Sequence, residues 1–388
     1  MKNLLRYFLI VFFTFLVIGI GLELSGNGHI LEGLPQTYFR GLTKPDIDDL
    51  KFSDTRAIAK ANQPEPWKMA QNMEEITISE EDLAYHEELE STAFLVTKGD
   101  EILYEQYWED YDEHTLSNSF SMAKTFTAMC IMRAEEEGWL RTTDKVCKYL
   151  PRFCEGENTK LTIEHLLQMS SNINFGESYS NPFGYQAKAY FNDDLFGLTA
   201  PYLVEEGAGT IWKYQGGDTV ILHEVLESAT GKSMAEFFSE NFWQRIGTEH
   251  EAYWGLDDHE GKEKAFSAVY ATARDFAKVG KLFRDQGRIS NGEEALSAYS
   301  ITKMKEPVNL PDKEGNVVDY YGYQLWLLHD LDTPVHLWQG MRGQYIINVP
   351  QWDMTIVRLG HERYEKQGKD YSEDVYRWIE MSMRMKDL

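Results

Sequence analysis

Positive charge is scarce in this sequence: 38 Lys and Arg stand against 63 Asp and Glu, a formal net charge of −25 over 388 residues. That balance excludes the functions clustered basic residues serve, gripping a nucleic-acid backbone or lying on anionic lipid. Cysteine is scarce as well. The three present, Cys130, Cys147 and Cys154, form no Cys-x-x-Cys pair, so neither a zinc knot nor a dithiol redox centre is encoded. Cys130 falls on an apolar helical face and reads as a small core residue. Cys147 and Cys154 flank Leu150-Pro151 in a loop, where a disulfide and two free thiols are both open. His86-Glu87, His223-Glu224 and His361-Glu362 each start like a zinc-protease motif, but none has a second histidine four residues on; no metal and no cofactor is expected.

Long apolar runs are absent, with one exception. Residues 7–22 carry no charge and follow Lys2 and Arg6, the layout of a secretory signal or a membrane anchor that sends the rest of the chain outward. Neither an Ala-x-Ala cleavage site nor a lipobox cysteine follows. Residues 1–23 are therefore expected as an uncleaved anchor, with the remainder in a bacterial periplasm or at the cell surface.

Internal repeats and low-complexity tracts are also missing, while 43% hydrophobic content supports one large domain or two smaller ones. Residues 24–74, rich in Gly, Pro and Asp and poor in apolar periodicity, read as an extended connector of which only the later part packs on the domain. Residues 75–388 read as the folded domain. A hairpin is expected from 92–97 and 101–107 around Lys98-Gly99-Asp100. Helices are expected at 162–170, 217–230, 233–245, 271–285 and 372–384, and strands at 323–328, 336–339, 344–349 and 354–359. This order predicts an α+β fold with an antiparallel sheet built from both chain ends, flanked by helices, and a mostly helical insert over about 140–290. Residues 174–201 form a long loop whose rings, Tyr179, Phe183 and Tyr185 among them, suit a pocket wall.

The chemistry concentrates in FSMAKTFTAMCIMRAEEEG, residues 120–138. Met122, Phe126, Met129, Cys130 and Met132 recur near helical spacing and Gly138 is a C-terminal stop, so an amphipathic helix is expected. At its front, Ser121 and Lys124 are three residues apart, close enough on one helical face to touch. A serine hydroxyl attacks a carbonyl only if its proton is taken, and an amine made available by burial can take it. Two further stretches bear on this pair. Tyr214 sits in Ile211-Trp-Lys-Tyr-Gln-Gly-Gly217, just ahead of a helix. Gly340-Met341-Arg342-Gly343-Gln344 joins two late strands, where glycine-flanked backbone can bring an N–H to a bound carbonyl.

Over residues 75–385 these positions resemble the serine β-lactamase and penicillin-binding superfamily, its class C-like branch, and within it the nylon-oligomer (6-aminohexanoate-dimer) hydrolases and related esterases. The likeness rests on Ser121 to Lys124, Leu166-Leu-Gln-Met-Ser-Ser171, Tyr214-Gln215-Gly216, Ala271-Thr-Ala-Arg-Asp-Phe-Ala-Lys-Val-Gly280 and Gly340 to Gln344, in that order. It implies a β-lactamase-like fold, Ser121 as nucleophile, Lys124 and Tyr214 sharing the proton transfers, and an oxyanion hole from the backbone N–H groups of Ser121 and Met341. Gly340 and Gly343 would border the substrate. The sequence departs from the branch at Gly216, where class C β-lactamases carry Asn, and lacks their Lys-Thr-Gly, so efficient β-lactamase activity is not expected. The expected function is hydrolysis of a small ester or amide through an acyl-enzyme. The alternative is a penicillin-binding sensor that acylates and does not turn over.

Overall fold

The computed structural model describes residues 2–178, 180–329, 331–364 and 371–385. Its main sheet has seven strands, in spatial order Trp326–Leu328, Val335–Gly340, Gln344–Val349, Met354–Gly360, Ser91–Lys98, Glu101–Tyr107 and Lys68–Met69. All neighbours are antiparallel except the last, which runs parallel to Glu101–Tyr107. The two chain ends meet at the centre, where Ile356 pairs with Val96 and Val357 with Leu95. Alternate residues of these strands face opposite sides, and both sides are covered, so the central strands are buried along their length up to the half-buried Lys98. One side packs Phe94, Val96 and Ile356 against the C-terminal helix Asp374–Met383 through Trp378. The other side carries Leu95, Ile346 and Val357 in a second core with Phe276 of the helix Ala273–Arg284.

The expected hairpin, the late strands and the C-terminal helix are all present, and the sheet is built from both ends as the sequence implies. Four differences stand out. The helix Ala123–Glu136 is buried on every side from Ala123 to Met132 rather than along one stripe, and the helices Gly216–Thr230 and Met234–Phe238 pack on it. Within the loop over 174–201 lie two short helices, Tyr185–Phe191 and Leu195–Thr199. A second sheet, Thr55–Ile58, Ala252–Gly255, Val269–Ala271 and Ser117–Asn118, has strands too short to show a period in sequence. Its first strand comes from the stretch expected as an extended connector. Residues 24–74 are instead stitched to the domain: Ile47 and Ile58 are fully buried, and Thr55–Ile58 pairs antiparallel with Ala252–Gly255.

The N-terminal apolar run is a helix, Lys2–Leu24, long and apolar enough to cross a membrane and unburied along its apolar window. A turn of four residues leads to a second helix, His29–Gln36, which packs on Tyr185–Phe191. Cys147 and Cys154 form a disulfide, and Cys130 is buried and free.

Candidate active site

Ser121 sits in a single 3-10 turn, Phe120–Met122, that runs directly into the helix Ala123–Glu136. The turn enters through a backbone conformation that an aromatic residue seldom adopts: Phe120 has φ +45°. Such a conformation costs about 1–3 kcal/mol and persists only where its surroundings impose it. Here the Oδ1 of the fully buried Asn118 accepts from the Phe120 N–H at 2.8 Å, while its Nδ2 donates to the hydroxyl of Tyr190 at 3.1 Å. Ser119 N–H donates to the Val269 carbonyl at 2.7 Å. The strained turn lifts Ser121 onto the floor of a cavity of about 340 Å³.

Lys124 follows one turn later and is 1% exposed. Its Nζ lies 3.1 Å from Ser121 Oγ and 3.0 Å from the Phe266 carbonyl oxygen. Tyr214 approaches the same ammonium from the far side, with Nζ 5.1 Å from its ring centroid. That ring is held against Trp326 and Tyr321. Among the described residues the Tyr214 contact with Lys124 is through the ring rather than through a hydroxyl hydrogen bond. Ring and amine are therefore adjacent, in a looser arrangement than a reacting complex requires.

The turn after Val335–Gly340 closes the site. A β-carbon at Gly340 would fall 2.3 Å from the Ser119 carbonyl oxygen and 3.3 Å from Phe120 Cβ, so only glycine lets this strand end lie against the turn that carries Ser121. Met341 consequently borders the same cavity as Ser121. Arg342 fixes the turn by donating from Nε to the Pro45 carbonyl at 2.8 Å and from Nη1 to the His361 carbonyl at 2.9 Å. Gly343, at φ +79°, abuts the guanidinium of Arg358 beneath the site.

The three expected ring contacts fare differently. Tyr185 is 2% exposed and belongs to a core cluster with Phe175 and Tyr202, its hydroxyl 2.8 Å from Thr199 Oγ1. Phe183 is 53% exposed at the surface beside the cavity-lining Pro182. Tyr179 lies outside the described residues. The aromatic wall is formed instead by Tyr190 and Phe191.

Sequence reading passed over Glu177. Its Oε1 accepts from the Gly217 N–H at 2.8 Å, at the start of the helix Gly216–Thr230, while Oε2 is buried without a partner. Burial pushes this carboxyl's pKa up, against the backbone hydrogen bonds and the positive charges of Lys124 and Lys213. The loop comes this close because residue 217 has no side chain: a β-carbon there would strike the Phe175 ring at 2.4 Å. Next along the same helix, the buried Asp218 accepts from Ser171 Oγ at 2.6 Å and Gln215 Nε2 at 3.0 Å, and burial raises its pKa to about 8. An acid inside a glycine and aromatic loop was the available signal for Glu177; nothing in the spacing ties it to residue 217.

A two-sided core around a mixed sheet, with a buried Ser–Lys pair at its edge, defines the β-lactamase-fold hydrolases as a class. The sequence model of the Beta-lactamase family matches residues 73–375, and the chain belongs to that family. It is 25% identical over 296 residues to the 6-aminohexanoate-dimer hydrolase of Paenarthrobacter ureafaciens, a match covering 70% of this chain and 73% of that protein. With penicillin-binding protein 4* of Bacillus subtilis (strain 168) it shares 31% identity over 169 residues, 39% of this chain and 36% of that protein. Among solved structures, a Bacillus anthracis protein assigned provisionally as a 6-aminohexanoate-dimer hydrolase superposes with a TM-score of 0.74 at 22% identity, over 88% of this chain and 92% of that one. The fold and family read from the motif series are thus borne out, and the chain is a hydrolase of this superfamily.

Proposed function

We propose that the protein cleaves a small ester or amide through an acyl-enzyme on Ser121, anchored to a membrane by residues 7–22 and facing the outside of the cell. The observation that carries the catalytic reading is the 3.1 Å approach of Lys124 Nζ to Ser121 Oγ in a site where the lysine is almost wholly buried. In its amine form Lys124 takes the serine proton as Oγ attacks the substrate carbonyl. The backbone N–H groups of Ser121 and Met341 receive the developing oxyanion, a contribution worth about 3–4 kcal/mol for each such donor. The tetrahedral species collapses with expulsion of the alcohol or amine, which leaves with the proton from Lys124 or Tyr214. Water, deprotonated by the same pair, then attacks the acyl-Ser121 ester and releases the acid.

The strand Val335–Gly340 ends in the buried Trp338 and Gln339 with no Lys-Thr-Gly, and the neighbouring Arg342 is tied to backbone carbonyls. Lacking that tripeptide, the chain fits ester and amide hydrolysis better than lactam turnover. The disulfide between Cys147 and Cys154 supports an exported location, since such bonds persist outside the reducing cytosol.

Ser121→Ala is expected to abolish both hydrolysis of a chromogenic acetyl ester and labelling by a serine-directed phosphonate, with an unchanged circular dichroism spectrum. Labelling that persists in the variant would remove Ser121 as the nucleophile. In the wild type, a stoichiometric burst with no steady state would favour the sensor alternative over an enzyme that turns over.

A further inference from the structure

The cavity above Ser121 is walled on one side by the segment that leaves the membrane. Only residues 25–28 separate the helix Lys2–Leu24 from His29–Gln36, and they form a tight turn, with Asn27 N–H donating to the Leu22 carbonyl at 2.8 Å and Leu31 N–H to the Gly28 carbonyl at 2.7 Å. The first helix, 23 residues long, spans about 34 Å, the thickness of a hydrocarbon core with slight tilt. The second helix therefore begins at the bilayer surface. It is clamped there to the domain: His29 Nε2 donates to the Pro182 carbonyl at 2.8 Å, and a β-carbon at Gly33 would lie 3.2 Å from the Phe191 ring. Further on, the Arg342 bond to Pro45 fastens this segment to the turn that carries Met341.

Ile30 and Leu34 of the juxtamembrane helix line the cavity with Tyr190 and Phe191, beside the polar Lys44, Asn181 and Gln186, and Ser121 and Met341 border it. Around the mouth, large rings are left in solvent: Tyr38 is 60% exposed, Phe39 77% and Phe183 53%. Exposed aromatic residues beside a membrane helix mark the headgroup level of a bilayer. In a chain of net charge −25, surface charge does not draw the domain onto anionic lipid. The anchor must hold this mouth at the membrane.

We infer that the substrate is a membrane amphiphile, an ester or amide whose apolar acyl chain leaves the bilayer and lies in the cavity bordered by the juxtamembrane helix and residues 186–191, with its carbonyl delivered to Ser121. This rests on the hydrolase reading above and adds the substrate class. Polar, water-borne substrates gain nothing from such a wall.

The test uses the full chain reconstituted into phosphatidylcholine vesicles. With p-nitrophenyl esters from acetyl to decanoyl, kcat/KM is expected to rise about fourfold for each added methylene until the groove is filled, following the usual transfer free energy of a buried CH₂. A double-chain lipid bearing a p-nitrophenyl ester is expected to be cleaved at least tenfold faster when it shares the vesicle with the enzyme than when it is confined to separate vesicles. Leu34→Asp is expected to lower the decanoyl-to-acetyl ratio of kcat/KM at least tenfold. A chain-length profile flat within twofold, or equal rates from shared and separate vesicles, would overturn the inference while leaving acetyl-ester hydrolysis, and so the hydrolase reading, intact. Failure of the wild type to cleave any ester would remove that reading, and this inference with it.

Discussion

Replacing Gly340 by alanine isolates the contact between the strand that leads to Met341 and the turn that carries Ser121. The backbone there is extended, with φ −113° and ψ 166°, so alanine introduces no dihedral strain and the whole effect is steric. Its β-carbon would lie 2.3 Å from the Ser119 carbonyl oxygen, and relieving that overlap must part the strand and the turn by about 1 Å. Overpacking of this kind costs about 1–3 kcal/mol of stability, partly offset by the 0.4–1 kcal/mol gained when alanine narrows the unfolded ensemble relative to glycine. The melting temperature should therefore move little. Catalysis should suffer much more, because a displacement of about 1 Å in an acyl-transfer site lowers the rate by roughly 10²-fold. The expected result is a hundredfold fall in kcat for an acetyl ester, with KM changed less than threefold and phosphonate labelling slowed in parallel. A variant with kcat within threefold of wild type would show that Met341 and Ser121 do not act as one unit.

Arg358 is completely buried and donates from Nε to Ser91 Oγ and from Nη1 to the carbonyls of Arg342, Gly343 and Glu362. Arg358→Met should cost about 3–5 kcal/mol in urea unfolding by orphaning those oxygens, and should also slow hydrolysis by freeing the turn after Gly340. Asp218, whose pKa is raised to about 8, holds its proton when folded and loses it when unfolded, so the stability it contributes is complete below about pH 4 and is lost as pH rises towards 8. Asp218→Asn should remove that slope, leaving the variant progressively more stable than wild type between pH 5 and pH 8, by about 1 kcal/mol per pH unit; a difference constant with pH would contradict the argument. Breaking the Cys147–Cys154 bond, which closes a span of 7 residues, with Cys147→Ser should cost about 2 kcal/mol in denaturant unfolding and leave acetyl-ester hydrolysis unchanged.

What the sequence disclosed follows the periodicity of each part. The strands read over 344–349 and 354–359 alternate over six residues and were legible, as was the helix read over 271–285. The strands Ser117–Asn118 and Val269–Ala271 hold too few residues for any period, yet they place the turn before Ser121. Ser121 and Lys124 were found because one helical turn joins them. Tyr214, whose ring centroid lies 5.1 Å from Lys124 Nζ, was singled out by its place ahead of a helix and by a motif series rather than by spacing. Glu177 and Asn118 escaped, since each acts on a residue distant in sequence or on a backbone N–H that no local pattern marks. The stretch over 24–74 misled because its anchoring is by scattered single residues: Ile47, Ile58 and the Asp46 carboxylate, which pairs with His361 at 2.9 Å.

The central seam of the main sheet joins segments synthesised far apart in time: Thr97 Oγ1 donates to the carbonyl of Thr355, 258 residues further on. No early portion of the chain can complete that layer alone, so the protein stays open until its last strands emerge. A chain that leaves the cell by threading would benefit from such a delay. The same arrangement makes late truncations hazardous, because loss of Met354–Gly360 would bare the long apolar flank of Ser91–Lys98 and leave a template on which neighbouring chains could stack.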